Sequence, residues 1–241
     1  MSIVIVCIIC KVWYYKLSIN LVEILLVLKY TKYIKNSKET AKQLVIMLHG
    51  YGSNKDDLIN LAPELSSVLP NALFISPNAP FQWEGMLEEN HRQWFSLLDR
   101  SDKALLREIK KVEAIISGFI LKQLEENNLS EDNLCLFGFS QGTMLSLYLI
   151  LAGLIKPKLL LGYSGLAIKN SWKCGTDKKN TKVMLFYGQE DDIIPIKYME
   201  ITKKILLKYN FPTQVHVSRY LGHEIDTTGI KQGKAFLKDN F

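Results

Sequence analysis

The chain predicts a single α/β domain built on a mainly parallel, doubly wound sheet with helices on both faces. Three observations carry that expectation. Short apolar runs alternate with amphipathic stretches along most of the chain, as strands buried under helices require. One such run, 133–137, breaks at Gly138, and a helix-like run begins after Gly142 with Ser140 at the break. Finally, 241 residues of which 48% are hydrophobic suffice to bury one large core.

Taken in order, residues 1–27 read as an N-terminal apolar and basic extension, and residues 28–241 as the α/β domain. The apolar runs of the extension are short or interrupted by Ser18, Asn20 and Glu23, whereas a spanning helix needs about 20 consecutive apolar residues. No Lys or Arg precedes the first run and no small-residue cleavage pattern follows it, so a signal peptide is not expected. Three readings stay open: a helix touching a membrane surface, an added packing element, or an appendage from a misassigned start codon. Next, 28–34 reads as an edge strand and 43–48 as a continuously apolar, buried one. Further strands are expected at 72–76, 133–137, 158–163, 182–187 and 214–220, and helices at 56–69, 102–126, 141–152, 195–209 and 226–238. The helix after Ser140 is apolar nearly all round, from Met144 to Leu151, and so must be central. The stretch 81–95 mixes aromatic and charged residues and is a candidate cap over a site.

Composition narrows the function. Residues 1–35 hold five lysines against one glutamate, so four of the six excess positive charges sit there and the body is nearly balanced. With no basic stripe interleaved with aromatics, no nucleic-acid partner is expected. Four cysteines, Cys7, Cys10, Cys135 and Cys174, are too few and too scattered for a disulfide scaffold, which favours a cytoplasmic, reducing setting. No ligand cluster stands near Ser140, so neither metal nor cofactor is expected.

Gly138, Phe139, Ser140, Gln141 and Gly142 form G-x-S-x-G between a strand and a helix, the pattern of a nucleophile elbow. A serine hydroxyl needs a base to take its proton and an acid to orient that base. Of the four histidines, His49 ends a strand and reads as a structural brace, His91 lies in irregular chain, and His216 alternates between two valines in a strand. His223 lies on the loop past the last strand, where α/β folds place their sites. The acid should then lie between Ser140 and His223, and Asp191 and Asp192 follow the strand at 182–187 there. Two N–H groups are needed for the oxyanion: Gln141 supplies one, and Tyr51 in the glycine-bearing loop 49–54 is the candidate for the other.

Five segments, HGYGSNKDDL (49–58), SPNAPF (76–81), RQWF (92–95), GFSQG (138–142) and LGHEI (221–225), together resemble the bacterial carboxylesterase, phospholipase and acyl-protein thioesterase family of α/β hydrolases. The resemblance covers residue 28 to the end. It implies the α/β-hydrolase fold, a triad of Ser140, Asp191 and His223, an oxyanion hole at Tyr51 and Gln141, and Trp94 as part of the acyl-pocket wall; Phe95 and Trp83, in the same candidate cap, are further candidates for the substrate pocket. Asp191 is preferred to Asp192 because it stands three residues after Gly188, the family's spacing. Two departures stand out: the acid loop, which in the family commonly opens His-Gly, here opens Tyr187-Gly188, and residues 1–27 resemble nothing in the family.

The expected function is that of a serine hydrolase cleaving carboxylic esters, thioesters or lysophospholipids through an acyl-enzyme on Ser140. The competing reading is a catalytically silent hydrolase fold that serves as a binding or membrane-associated protein. Expected partners are a small-molecule or lipid acyl ester, with membrane contact confined to residues 1–27. The sequence leaves the oligomeric state open.

Overall fold

Continuous apolar runs become strands because two covering layers of helix leave no solvent face for polar residues to occupy. A computed structural model describes residues 28–85, 90–169 and 181–241. The N-terminal extension, residues 86–89 of the candidate cap, and Cys7, Cys10 and Cys174 lie outside the described residues. Among the described residues seven strands form one sheet: β1 (Tyr30–Ile34), β2 (Gln43–Leu48), β3 (Ala72–Pro77), β6 (Leu134–Phe139), β7 (Leu159–Tyr163), β8 (Lys182–Gly188) and β9 (Thr213–Ser218), in the order β1-β3-β2-β6-β7-β8-β9. Only β1 runs antiparallel, on β3 at the edge, and every other pairing is parallel. The expected mainly parallel, doubly wound sheet is what the chain forms.

Alternate residues of β2 feed two separate cores. Leu44, Ile46 and Leu48 join the core under α3 (Asp102–Ile109), α4 (Glu113–Glu126), α5 (Gln141–Leu151) and α6 (Lys197–Lys208). Val45 and Met47 join the core under α1 (Lys55–Leu58), α2 (Ala62–Leu65) and α7 (Thr227–Asn240). All eleven residues of α5 are buried. Fully burying each of its leucines is worth about 1.5–3 kcal/mol, which anchors the helix that follows Ser140.

Several element boundaries differ from the sequence expectation. The single helix expected at 56–69 is instead α1, a 3-10 turn (Ile59–Leu61) and α2, with Pro63 in the first turn of α2. Proline lacks the N–H that a continuous helix needs at that point and its ring crowds the preceding turn. The helix expected at 102–126 is divided into α3 and α4. Pro195 precedes α6 rather than standing in its first turn, with the Tyr198 N–H donating to the Pro195 carbonyl. Within the candidate cap, β4 (Phe81–Gln82) pairs antiparallel with β5 (Arg92–Gln93), so its described part is a β-hairpin.

The strand order places the site. From β2 the chain moves outward to β3, whereas from β6 it moves to β7 on the other side, so the loops leaving the carboxyl ends of β2 and β6 diverge to opposite faces. That divergence opens a crevice at the topological switch point. Gly142 keeps the crevice narrow, because a Cβ on it would lie 1.8 Å from the Leu48 carbonyl oxygen. Gly142→Ala must push α5 off the end of β2, and the expected cost is about 3 kcal/mol or more. Urea denaturation of the purified variant checks this, and a midpoint equal to that of the parent would disprove the contact.

Candidate active site

Ser140 stands between β6 and α5 with φ 52° and ψ −113°, a conformation that costs a non-glycine residue about 1–3 kcal/mol. Glycines on either side permit it. A Cβ on Gly138 would meet the Thr143 amide nitrogen at 2.6 Å, and one on Gly142 would strike Leu48. The Ser140 N–H donates to the Tyr163 carbonyl at 2.8 Å, so β7 holds the turn from beneath. Its hydroxyl stands 2.9 Å from His223 Nε2.

His223 arrives on the loop after β9, its ring 5.0 Å from that of Phe139. The loop that carries His223 and the loop that carries Asp191 are bound to each other through their main chains: the Gln189 N–H donates to the Ser218 carbonyl at 3.0 Å and the Glu190 N–H to the Leu221 carbonyl at 2.9 Å. Gly188 permits that approach, since a Cβ there would lie 2.2 Å from the Leu221 oxygen. Asp191, 4% exposed, accepts from His223 Nδ1 at 2.8 Å through Oδ2. Its Oδ1 accepts from the amides of Ile193 at 3.0 Å and Ile194 at 2.7 Å. Asp192 is exposed and Asp191 is the carboxylate that meets the imidazole. With Nδ1 donating to a carboxylate, Nε2 carries the lone pair that faces Ser140, the tautomer a general base requires.

On the other wall, residues 50–53 form a turn closed by the Ser53 N–H on the Gly50 carbonyl, with Gly52 at φ 77° in the position where such turns demand glycine. The Gly52 N–H is taken by the Arg92 carbonyl. Tyr51 N–H enters neither bond, and Gln141 N–H, as the first of α5, has no carbonyl one turn back to meet. A Cβ on Gly50 would lie 3.6 Å from that of Ser140, which brings this loop to the nucleophile. The Tyr51 phenol, pushed up to about 12 by burial and by its bond to Glu84, points away to the hairpin, donating to Glu84 Oε1 at 2.7 Å.

The three aromatics expected around a pocket separate. Trp94 and Phe95 expose 0% and 1% of their surface, so they offer an acyl chain no wall and belong to the core. Trp94 donates its indole N–H to the His49 carbonyl at 3.0 Å and its main-chain N–H to Gln141 Oε1 at 2.8 Å, which is what draws it inward. Trp83, half-buried, lies over Gly52 and edge-on to the Tyr51 ring, beside the loop that approaches Ser140. The Gln141 side chain, also fully buried, donates to the Phe95 carbonyl at 2.7 Å. Neither this role nor that of Arg92, whose guanidinium holds the Ala79 and Pro80 carbonyls, is marked by sequence pattern beyond membership of the RQWF and GFSQG segments.

His49 is a brace, as its position in the sequence suggests: Nδ1 donates to the Gly50 carbonyl at 2.8 Å and Nε2 accepts from the Ala79 amide at 3.0 Å. His216 points elsewhere, its Nε2 3.2 Å from Ser218 Oγ, and His91 packs against Trp83. Cys135 is buried, and burial pushes its thiol up. Among the described residues no group of three or more His, Cys, Asp or Glu is arranged to hold a metal. Nor is any helix among them long and apolar enough to cross a membrane.

A hydrogen-bonded serine–histidine–aspartate chain at the switch point of a mainly parallel sheet, with its serine on a strained strand-to-helix turn and its aspartate buried, is the arrangement of an α/β hydrolase. The chain belongs to the phospholipase/carboxylesterase family, whose model matches residues 30–241. It is similar to acyl-protein thioesterase 1 of Kluyveromyces lactis, 26% identical over 197 residues that span 78% of this chain and 84% of that protein. It is also similar to the esterase YpfH of Escherichia coli, 23% identical over 82% of this chain and 83% of that protein. Among solved structures, esterase PE8 superposes with a TM-score of 0.80 at 29% identity, covering 90% of this chain and all of that one. The chain is a hydrolase acting on carboxylic esters, the activity that its family membership carries.

His49 gives the fold an acid limit. Burial lowers its pKa from 6.5 to about 4, so between those values the unfolded chain binds a proton that the folded one refuses. The contribution is complete above pH 6.5 and is lost as pH falls towards 4, a total of about 3 kcal/mol. Urea midpoints at pH 7, 5.5 and 4.5 should fall steadily for the parent, and more shallowly for His49→Gln; parallel slopes would remove His49 as the cause.

Proposed function

We propose that the protein hydrolyses carboxylic esters and thioesters through an acyl-enzyme on Ser140. The observation that carries this is the continuous chain Ser140 Oγ, His223, Asp191, at 2.9 and 2.8 Å, in the tautomer that leaves Nε2 free to accept a proton. Ser140 attacks the acyl carbonyl as its proton passes to His223 Nε2, and the N–H groups of Tyr51 and Gln141 receive the oxyanion. Collapse expels the alcohol or thiol, protonated by His223. Water, deprotonated by the same imidazole, then attacks the acyl-enzyme, and a second tetrahedral intermediate releases the acid and restores Ser140. Asp191 stabilises the imidazolium and fixes its orientation.

The substrate in this reading is a small-molecule or lipid ester with an apolar acyl part, bordered by Trp83, and no cofactor takes part. The similarity to an acyl-protein thioesterase extends the reading to thioesters of acylated proteins. A silent fold would have no reason to retain the strained Ser140, since glycine at φ 52° would relieve the strain.

Labelling with a fluorophosphonate, which needs an activated serine, should modify the parent at Ser140 and leave Ser140→Ala unmodified; an unmodified parent would overturn the assignment. Asp191→Asn keeps the shape of the acid but removes its charge and should lower kcat by about 10⁴-fold, whereas Asp192→Asn should cost less than about tenfold. The reverse order would shift the acid to Asp192.

The same reading places the enzyme in the cytoplasm, peripheral to a membrane through the apolar residues 1–27, which carry Lys11 and Lys16 against Glu23 and are followed directly by Lys29, Lys32 and Lys35, a setting that suits an anionic surface. The full chain should then sediment with anionic vesicles while a chain lacking residues 1–26 stays free and active. Equal partitioning of the two would end this part of the proposal.

A further inference from the structure

With Ser140 read as the nucleophile, the two oxyanion donors sit on different elements: Tyr51 in the loop after β2 and Gln141 at the start of α5. The ladder between β2 and β6 ends at the pair Leu48 and Gly138, short of both donors. Beyond it, something else must hold the gap between the two N–H groups. We propose that residues 92–95 are a strut that sets this gap, with Trp94 and the Gln141 side chain as its positioning residues.

The strut grips the Tyr51 loop on both sides of the donor. After Tyr51, the Gly52 N–H donates to the Arg92 carbonyl and the Arg92 N–H to the Ser53 carbonyl, both at 2.9 Å. Before it, the Trp94 indole donates to the His49 carbonyl at 3.0 Å. The same four residues grip the other donor's own side chain: Gln141 Oε1 accepts from the Trp94 N–H at 2.8 Å, and its Nε2 donates to the Phe95 carbonyl at 2.7 Å. Trp94, Phe95 and Gln141 are all buried, so water does not compete for these bonds.

The chemistry at position 141 is demanding. A side chain there must accept from one main-chain group and donate to the next within a closed space, and an amide on a two-carbon stem does both at once. The wider consequence follows from what an oxyanion hole requires. Its donors must lie about 2.7–3.1 Å from the developing oxyanion, a position the ground-state carbonyl does not occupy. A displacement of about 1 Å between the two donors is worth about 10²-fold in rate. A strut that slackens should therefore spoil the transition state while leaving substrate binding nearly intact.

Two variants test this. Trp94→Phe keeps a ring and removes the indole bond to His49, and Gln141→Met keeps the length of the side chain and removes both bonds to the strut. Active sites are first counted by exhaustive fluorophosphonate labelling, so that unfolded protein does not count as slow enzyme. Per labelled site, kcat for a nitrophenyl ester should fall about 10- to 100-fold in each variant with KM within about threefold of the parent. Affinity for a boronic acid bearing the same acyl group, whose tetrahedral adduct places an oxygen in the hole, should fall by the same factor as kcat. A purely structural role would lower the number of labelled sites and leave kcat per site and boronate affinity alone, which would overturn the proposal. Loss of kcat without loss of boronate affinity would overturn it too. Should Gln141→Met not fold, the milder Trp94→Phe decides the matter by the same readings. A parent that fluorophosphonate does not label would instead refute Ser140 as nucleophile, and the strut would fall with it.

Discussion

The contact on which the site depends is the approach of the Gly142 backbone to the carbonyl of Leu48, so close that a methyl group would lie 1.8 Å from the oxygen. It forces α5 to begin within two residues of the end of β6. Ser140, caught in that turn, takes up a backbone conformation that L-residues avoid, at a cost of about 1–3 kcal/mol. Burial of every residue of α5 offsets that cost. The same contact fixes the end of β2, and with it the loop that carries Tyr51 past Ser140. One close approach thus strains the nucleophile and delivers the opposite wall of the site.

Two histidines in one molecule show how surroundings assign roles to the same side chain. His49 is enclosed, with one ring nitrogen donating to a carbonyl and the other accepting an amide, so both are occupied and burial holds it neutral. It can neither give nor receive a proton without breaking a loop contact. His223 is partly exposed, with a carboxylate behind it and a hydroxyl in front. Its imidazolium has a partner waiting in Asp191, whose remaining oxygen is already filled by two amides and so cannot swing away. The Asp191 carboxylate is thus held by its own loop as well as by His223.

Much of this was legible in the sequence because it rests on local rules. Buried strands read as unbroken apolar runs, and Gly138 and Gly142 announce an elbow around Ser140 because a Cβ at either would strike neighbouring backbone. The sequence at 102–126 reads as one helix, since Ile109, Val112 and Ile116 keep helical spacing across the break and the periodic signal passes over it. Pro63 did mark the interruption of 56–69, but the apolar rhythm around it is the stronger signal. Trp94 shows a different limit. A tryptophan next to a charged, irregular stretch suits a pocket wall as well as a core, and what decides between them is a carbonyl 45 residues away and an amide side chain 47 residues away. Such partners are set by tertiary structure and leave no periodic trace.

The departure at Tyr187 follows the same logic. The side chain directly before Gly188 is 2% exposed, and its hydroxyl donates to the Gly165 carbonyl at 2.6 Å, while burial pushes the phenol up and keeps it protonated. Gly165 packs against Thr143, one turn into α5, where a Cβ would lie 2.3 Å from that of the threonine. Tyr187 therefore fastens the loop after β7 to the underside of the elbow. What Asp191 needs from position 187 is only that β8 end in register with β9, and main-chain pairing of Tyr187 with Val217 supplies that for any side chain. A residue close to Asp191 in sequence can depart from the family's pattern when its own side chain is held elsewhere, as the Tyr187 hydroxyl is held at Gly165, because alternate residues of a strand answer to different layers.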